Sequence, residues 1–297
     1  MIKSLKMETV NDWLNDTLNE SDDKSYRHLL LKEDSTARIQ AIVTLMQLVR
    51  EAHEDARLRL RKAFEISLDP IESETEEIYD PTQGYPEVFD MTTLKGYFGE
   101  IFAGIIAEIF SPFDEQAWKV PAFSFRYHEI AFDQLEMLML TGDMISAIPG
   151  RTGDDCLAFV MENEKIIKVL FCEAKCTANH SSGLIVDAHE KISSRNSIPV
   201  EIRRLIEILR DYDDADALKW IDALRKLRVN RGKKDYERYD LVSYICGSSP
   251  KKPKGRTTWM PLDAPHSKYT AKRNLEAVEI HLTDVEDLIK MVYGKEA

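Results

Sequence analysis

The run Lys168-Val169-Leu170-Phe171-Cys172-Glu173-Ala174-Lys175 is an apolar strand carrying an acid and a lysine two residues apart. Eighteen positions before Glu173, Gly153-Asp154-Asp155 opens a second apolar run, Cys156-Leu157-Ala158-Phe159-Val160. Side chains i and i+2 of a strand share a face, so Glu173 and Lys175 project together. A turn near Glu162-Asn163-Glu164 folds the two runs into a hairpin and brings Asp155 beside them. Only one other Asp/Glu-any-Lys triplet occurs, Asp22-Asp23-Lys24, and it lies in a polar break rather than among strand formers. A charged pair in an apolar strand is costly to bury without a partner or a metal. The bland alternative is an exposed strand face with a cross-strand ion pair, for instance Lys175 with Glu162.

Outward from the hairpin, the order of elements predicts an α/β domain, a mixed central sheet flanked by helices. Upstream, Thr92 or Thr93 is expected to cap a helix over 94–110, ended by Ser111-Pro112, with an apolar face from Tyr97 to Ile109 interrupted by Glu100 and Glu108. A strand over 119–127, a short helix over 130–140 and a Gly/Pro-punctuated segment through 141–153 follow. Downstream, 184–195 and 199–228 read as helical, including 200–209 and 215–227, with 241–246 and 277–282 as strands and 285–293 as a helix capped by Thr283. The first 90 residues read as a helical N-terminal region with an acidic linker. Residues 7–32 are a weak helix broken at Asn19-Glu20-Ser21-Asp22-Asp23, and 35–64 a long amphipathic helix. Its apolar stripe is Ile39, Ile42, Val43, Met46 and Val49. Residues 69–86 hold three prolines and read as a loop. The division is therefore 1–90 and 91–297.

The net charge of −12 over 297 residues speaks against a nucleic-acid binder only as an average. Residues 1–120 carry 13 Lys/Arg against 24 Asp/Glu, whereas residues 225–273 carry 14 against 4. Phosphate binding depends on local charge. The basic stretch offers Arg231, Lys233, Lys234, Lys251, Lys252, Lys254 and Arg256 as backbone contacts, with Trp259 placed to stack on a base; equally, it could dock on the acidic N-terminal region of the same chain. Four cysteines are too few for a disulfide framework, no apolar run spans a membrane, and the start lacks a signal-peptide core. These features predict a cytoplasmic chain. The absence of a Gly-x4-Gly-Lys-Ser/Thr loop predicts no ATP hydrolysis by the chain itself.

Asp155 and Glu173 supply the hard oxygen ligands that Mg²⁺ or Mn²⁺ prefers, with the Ala174 carbonyl as a third, and Asp154 is the alternative to Asp155. Such a metal positions a water and stabilises charge on a scissile phosphate. Lys175 would orient or deprotonate that water. Asp155, the 18-residue spacing and Glu173-Ala174-Lys175 resemble the PD-(D/E)xK nuclease superfamily, the restriction-endonuclease-like fold. The resemblance covers roughly residues 94–190 and implies a further glutamate from the preceding helix, a role that Glu100 after Gly99 matches. It departs at the proline of the family name, since Pro149 lies six residues before Asp155. With the Tyr239-Asp240-Leu241-Val242-Ser243-Tyr244 strand added, the pattern is similar to the small nuclease subunit of Hachiman-type antiphage systems. That similarity implies a Mg²⁺-dependent endonuclease that cuts or nicks DNA and is held in check by a superfamily-2 helicase partner.

Two other classes compete. A zinc site could use Cys172, Cys176 and His180, with Cys156 and His189 near in sequence. A nuclease fold without activity could serve as a nucleic-acid-binding or scaffold subunit. The superfamily resemblance also makes Lys191 and His189, on the helix after the Glu-any-Lys strand, candidates for phosphate contact, and His128 reads as structural.

Overall fold

The computed structural model describes residues 7–65, 80–123, 155–195, 201–212, 214–229, 235–250, 255 and 257–295. The two apolar runs form the expected hairpin, β3 (Cys156–Glu162) and β4 (Lys165–Thr177). They pair antiparallel with Cys156 opposite Cys172. Asn163 and Glu164 make the turn at φ 47° and 61°. Two consecutive left-handed residues are what a two-residue hairpin needs to match the twist of its strands, and asparagine tolerates that conformation well.

β4 pairs parallel with β5 (Glu237–Cys246), β5 parallel with β6 (Leu275–His281), and β6 parallel with β2 (Tyr26–Glu33). β1 (Leu14–Glu20) closes the far edge antiparallel to β2. The result is a mixed six-stranded sheet in the order β1-β2-β6-β5-β4-β3. Of the four inner strands, β4 carries a near-continuous apolar run over 169–172, because helices cover both of its faces, whereas β6 buries Glu276, Glu279 and His281 among its apolar residues.

One face carries α1 (Met7–Trp13), α2 (Arg38–Glu65), α3 (Met91–Ile109) and α7 (Val285–Val292), packed on Leu170, Cys172, Leu241, Ile245, Val278 and Ile280. The opposite face carries α4 (Ser182–Ser194), α5 (Glu201–Tyr212) and α6 (Ala215–Val229), packed on Val169, Phe171, Val242 and Ala277. α3 is apolar nearly all round because the sheet, α2 and α7 enclose it. Its cap is Asp90, not Thr92 or Thr93. The Asp90 carboxylate accepts the N–H groups of Thr92 and Thr93 at 2.7 and 3.1 Å, which a carboxylate two or three residues upstream does better than either hydroxyl. Likewise Asp284, not Thr283, precedes α7.

The N-terminal region departs from expectation twice. Residues 7–32 are not a broken helix but a helix of about two turns followed by the β1–β2 hairpin. The polar break is the turn, where Asp23 accepts from the Ser21 and Ser25 hydroxyls. Pairing decides the outcome: Leu29-Leu30-Leu31 is buried between β1 and β6, and a leucine run suits a helix as well until a strand edge is on offer. The second departure lies in α2, which forms as expected but keeps only Val49 and, in part, Ile42 of the expected stripe against the core. Ala41, Leu45, Leu48, Val49, Ala52 and Ala56 face the core, while Ile39, Val43 and Met46 are 80, 59 and 43% exposed. The alanines decide it, since they let helix axes approach closely.

Of the strand expected over 119–127, residues 119–123 are described and carry a single bridge, Lys119 to Phe159, while 124–127 lie outside the described residues. The helix at 130–140 and the segment 141–153 lie outside the described residues.

Candidate active site

The hairpin register sets Asp155 opposite Glu173, and the Asp155 N–H donates to the Cys172 carbonyl at 3.0 Å. Alternation then turns Asp155, Glu173 and Lys175 to the α4 side of the sheet, in the C-terminal half of β4. Ligand sites in open α/β sheets lie at the C-terminal ends of parallel strands. The Ala174 N–H donates to Asp155 Oδ2 at 2.7 Å, which fixes the aspartate carboxylate at the strand. Lys175 Nζ lies 3.1 Å from Glu173 Oε1. The three residues singled out in the sequence are thus together, and the Lys175–Glu162 alternative is not formed; Glu162 pairs in register with Lys165.

Helix α4 completes the constellation. Lys191 Nζ is 2.6 Å from Glu173 Oε1 and 3.9 Å from Asp155 Oδ1. The Arg195 guanidinium is 3.4 Å from Glu173 Oε2, and Asp187 Oδ2 is 2.6 Å from Lys175 Nζ. Asp187 and Arg195 were not singled out from the sequence, although the spacing 187, 191 and 195 on a helix following the strand carries the signal.

The electrostatics follow from burial. Glu173 has no exposed surface, and burial together with the facing Asp155 raises its carboxyl to about 7 against the pull of Lys191 and Lys175. For Lys175, burial works against the charged form, but Glu173 and Asp187 outweigh it and hold the amine above its ordinary range. Lys175 is therefore an ammonium, a donor of hydrogen bonds and charge rather than an acceptor of a proton. His189 is buried with its Nδ1 at 2.8 Å from the Ile185 carbonyl, and burial lowers its imidazole to about 4.

The donor set fits a hard divalent cation in part. Two carboxylates converge, and Glu173 Oε2 is buried without a hydrogen bond. Among the described residues no three His, Cys, Asp or Glu side chains cluster as a metal cage. A cation here would complete its shell from backbone oxygen or water, as Mg²⁺ does. Glu100 is buried on α3, beside Gly99, whose α-carbon packs toward Ala174 and Cys176. That is the face of β4 opposite to Glu173 and Lys175, and the charge of Glu100 is felt by the Tyr293 hydroxyl on that side. The geometry does not bring Glu100 to the other three.

The zinc ligands are also separated by the sheet. Cys172 and Cys176 belong to the α3 side. His180 lies on the α4 side, with Nδ1 at 3.1 Å from the Tyr244 hydroxyl. Its ring stacks on Trp259 at 3.7 Å and 7°, so the indole proposed to meet a base is already covered on one face.

Of the basic stretch, Arg231, Lys233, Lys234, Lys251, Lys252, Lys254 and Arg256 lie outside the described residues, as do Asp154 and His128. Arg238 and Arg273, which are described, spend their charge on the buried Asp240 at 2.9 Å each. Part of the local positive excess is therefore structural. A cavity of about 700 Å³ lies elsewhere, between α2, residues 80–87 and the end of α7. It contains none of the predicted site residues, and two of the arginines lining it are paired, Arg57 with Glu54 and Arg61 with Asp80.

No protein-family model matches the chain, and no curated protein matches its sequence. Among the described residues no helix is long and apolar enough to cross a membrane.

Proposed function

We propose that the chain is a divalent-metal-dependent phosphodiesterase that cleaves or nicks DNA. The observation that carries this is the convergence of Asp155 and Glu173, two carboxylates from adjacent strands, beside the Lys175 and Lys191 ammonium groups. Two hard anionic donors next to fixed cations are the equipment of phosphoryl chemistry. Asp155 and Glu173 would hold Mg²⁺ or Mn²⁺, with Ala174 contributing backbone. Such an ion, when bound, polarises the phosphate and acidifies a water.

The rest is done by the chain. The Ala174 N–H holds Asp155 in place, and Asp187 positions Lys175 from the helix opposite. Lys175, kept charged, orients the attacking water and offsets charge in the transition state. DNA backbone contact is assigned to the 231–256 basic residues named above. Similarity to the Hachiman nuclease subunit extends the proposal to an antiphage effector restrained by a superfamily-2 helicase.

The test is cleavage of supercoiled plasmid with and without Mg²⁺, comparing the wild type with a Glu173→Ala/Lys175→Ala double variant. Metal-dependent nicking that the double variant loses is the expected result. Equal inertness of both, with an adjacently encoded helicase and its nucleotide supplied, would reject catalysis.

A further inference from the structure

Asp187, Lys191 and Arg195 stand at i, i+4 and i+8 along α4, and each is ion-paired with the catalytic strand. Together with Asp155, Glu173 and Lys175 they make three carboxylates and three cations. Lys191 holds the central position, with its Nζ in contact with Glu173 Oε1 and in reach of Asp155 Oδ1. It therefore lies where a divalent cation shared by those carboxylates would bind. An ammonium and a divalent cation cannot occupy one pair of carboxylates together, because like charges at such distances repel strongly away from water. Lys191 also has a way out: its side chain is 26% exposed, and four rotatable carbons let the head group leave without moving the helix.

We infer that Lys191 is a resident counter-cation of the Asp155–Glu173 pair, which closes the site in the metal-free protein and is displaced when a divalent cation enters. The inference rests on the divalent-cation reading above. It adds a metal threshold: the ion must compete with an amine that the fold supplies at high local concentration. Glu173, buried and facing another carboxylate, then has a compensating charge in either state. Arg195 and Lys175 remain in both.

The test is calorimetric titration of Mn²⁺ into the metal-free full chain, for wild type, Lys191→Met, Lys191→Gln and Glu173→Gln. Removing the competing charge is expected to tighten Mn²⁺ binding roughly tenfold in both Lys191 variants, and Glu173→Gln to abolish it. In the metal-free state Lys191→Met should melt below wild type and recover with Mn²⁺. A second readout needs no variant: acetylation of Lys191 in the wild type, followed by peptide mass spectrometry, should accelerate when Mn²⁺ is added, while that of Lys119 stays unchanged. Lys191 variants that bind Mn²⁺ no more tightly than wild type, or Lys191 labelling indifferent to Mn²⁺, overturn the inference and leave the metal site standing. Absence of Mn²⁺ binding in wild type and variants alike overturns both. Should Lys191→Met not fold, Lys191→Gln and the wild-type labelling decide.

Discussion

Lys175 shows how the surroundings of one side chain narrow its chemistry. The sequence left it as either the group that orients a water or the one that deprotonates it. The carboxylates of Glu173 and Asp187 outweigh its burial and keep it protonated, which under the proposed function leaves the first role. Lys175→Met is therefore expected to lower cleavage about 10²- to 10³-fold while leaving Mn²⁺ binding in place, as measured by plasmid nicking and calorimetry on the same preparation. Glu279 offers a second prediction at this scale. Burial pushes its carboxyl up, but hydrogen bonds from His28 and His281 and the N–H groups of Trp259 and Met260 outweigh that and lower it to about 2. A carboxyl lower in the folded than in the unfolded chain stabilises above its unfolded value near 4.5 and loses that contribution as pH falls toward 2. Glu279→Gln should thus cost up to about 3 kcal/mol at pH 7 and much less at pH 3. Urea unfolding at the two pH values reads the difference, and a cost that does not shrink in acid would reject the assignment. Asp155, Glu173 and Lys175 were legible because strand alternation and a short turn fix them locally. Glu100 was carried by resemblance alone, and which face of β4 its helix covers is a tertiary fact that no local spacing encodes.

α3 and the β3–β4 hairpin meet at a point where size matters. A β-carbon added at Gly104 would lie 2.5 Å from Phe123 Cε1 and 3.2 Å from Cys156 Sγ. Gly104→Ala gains helix propensity but must push an aromatic ring out of the core. We expect a net loss of about 1–3 kcal/mol, seen as a lower denaturation midpoint at unchanged slope; a stabilised variant would show that Phe123 yields freely. Elements with strong internal signals were readable at this scale: α3, α4, the hairpin and the two parallel strands fall close to where periodicity sets them. α2 was found, but its buried side was not, because two apolar stripes wind along it. Bulk hydrophobicity favours Ile39, Val43 and Met46, whereas packing favours the slimmer alanine side. Charged substitution at Ile39 or Val43 should accordingly change stability by no more than about 0.5 kcal/mol.

In the whole molecule, the sheet crosses the division drawn from the sequence at residue 90. β2 is hydrogen-bonded to β6 along seven register pairs, from Tyr26–Leu275 to Lys32–His281. A fragment beginning at residue 91 would keep the candidate site yet bare one side of β6, an apolar edge open to strand addition. It is expected to elute as aggregate in size-exclusion chromatography, where the full chain is not; a monodisperse fragment with native circular dichroism would show that the hairpin is dispensable. The overall class, a mixed sheet between helices, was legible because it needs only the order of elements. The hairpin's membership was not, since its partner strand lies some 250 residues away. That separation has a consequence on the ribosome. Residues 155–195, with Asp155, Glu173 and the lysine that sits between them, emerge while β2 still waits for β6. At roughly 5–20 residues per second, the stretch from 195 to the end of β6 takes on the order of ten seconds, and through it the candidate site is present on a nascent chain whose sheet is unfinished. Under the proposed function, an ammonium group already lodged between the two carboxylates would keep such a half-built chain quiet during synthesis.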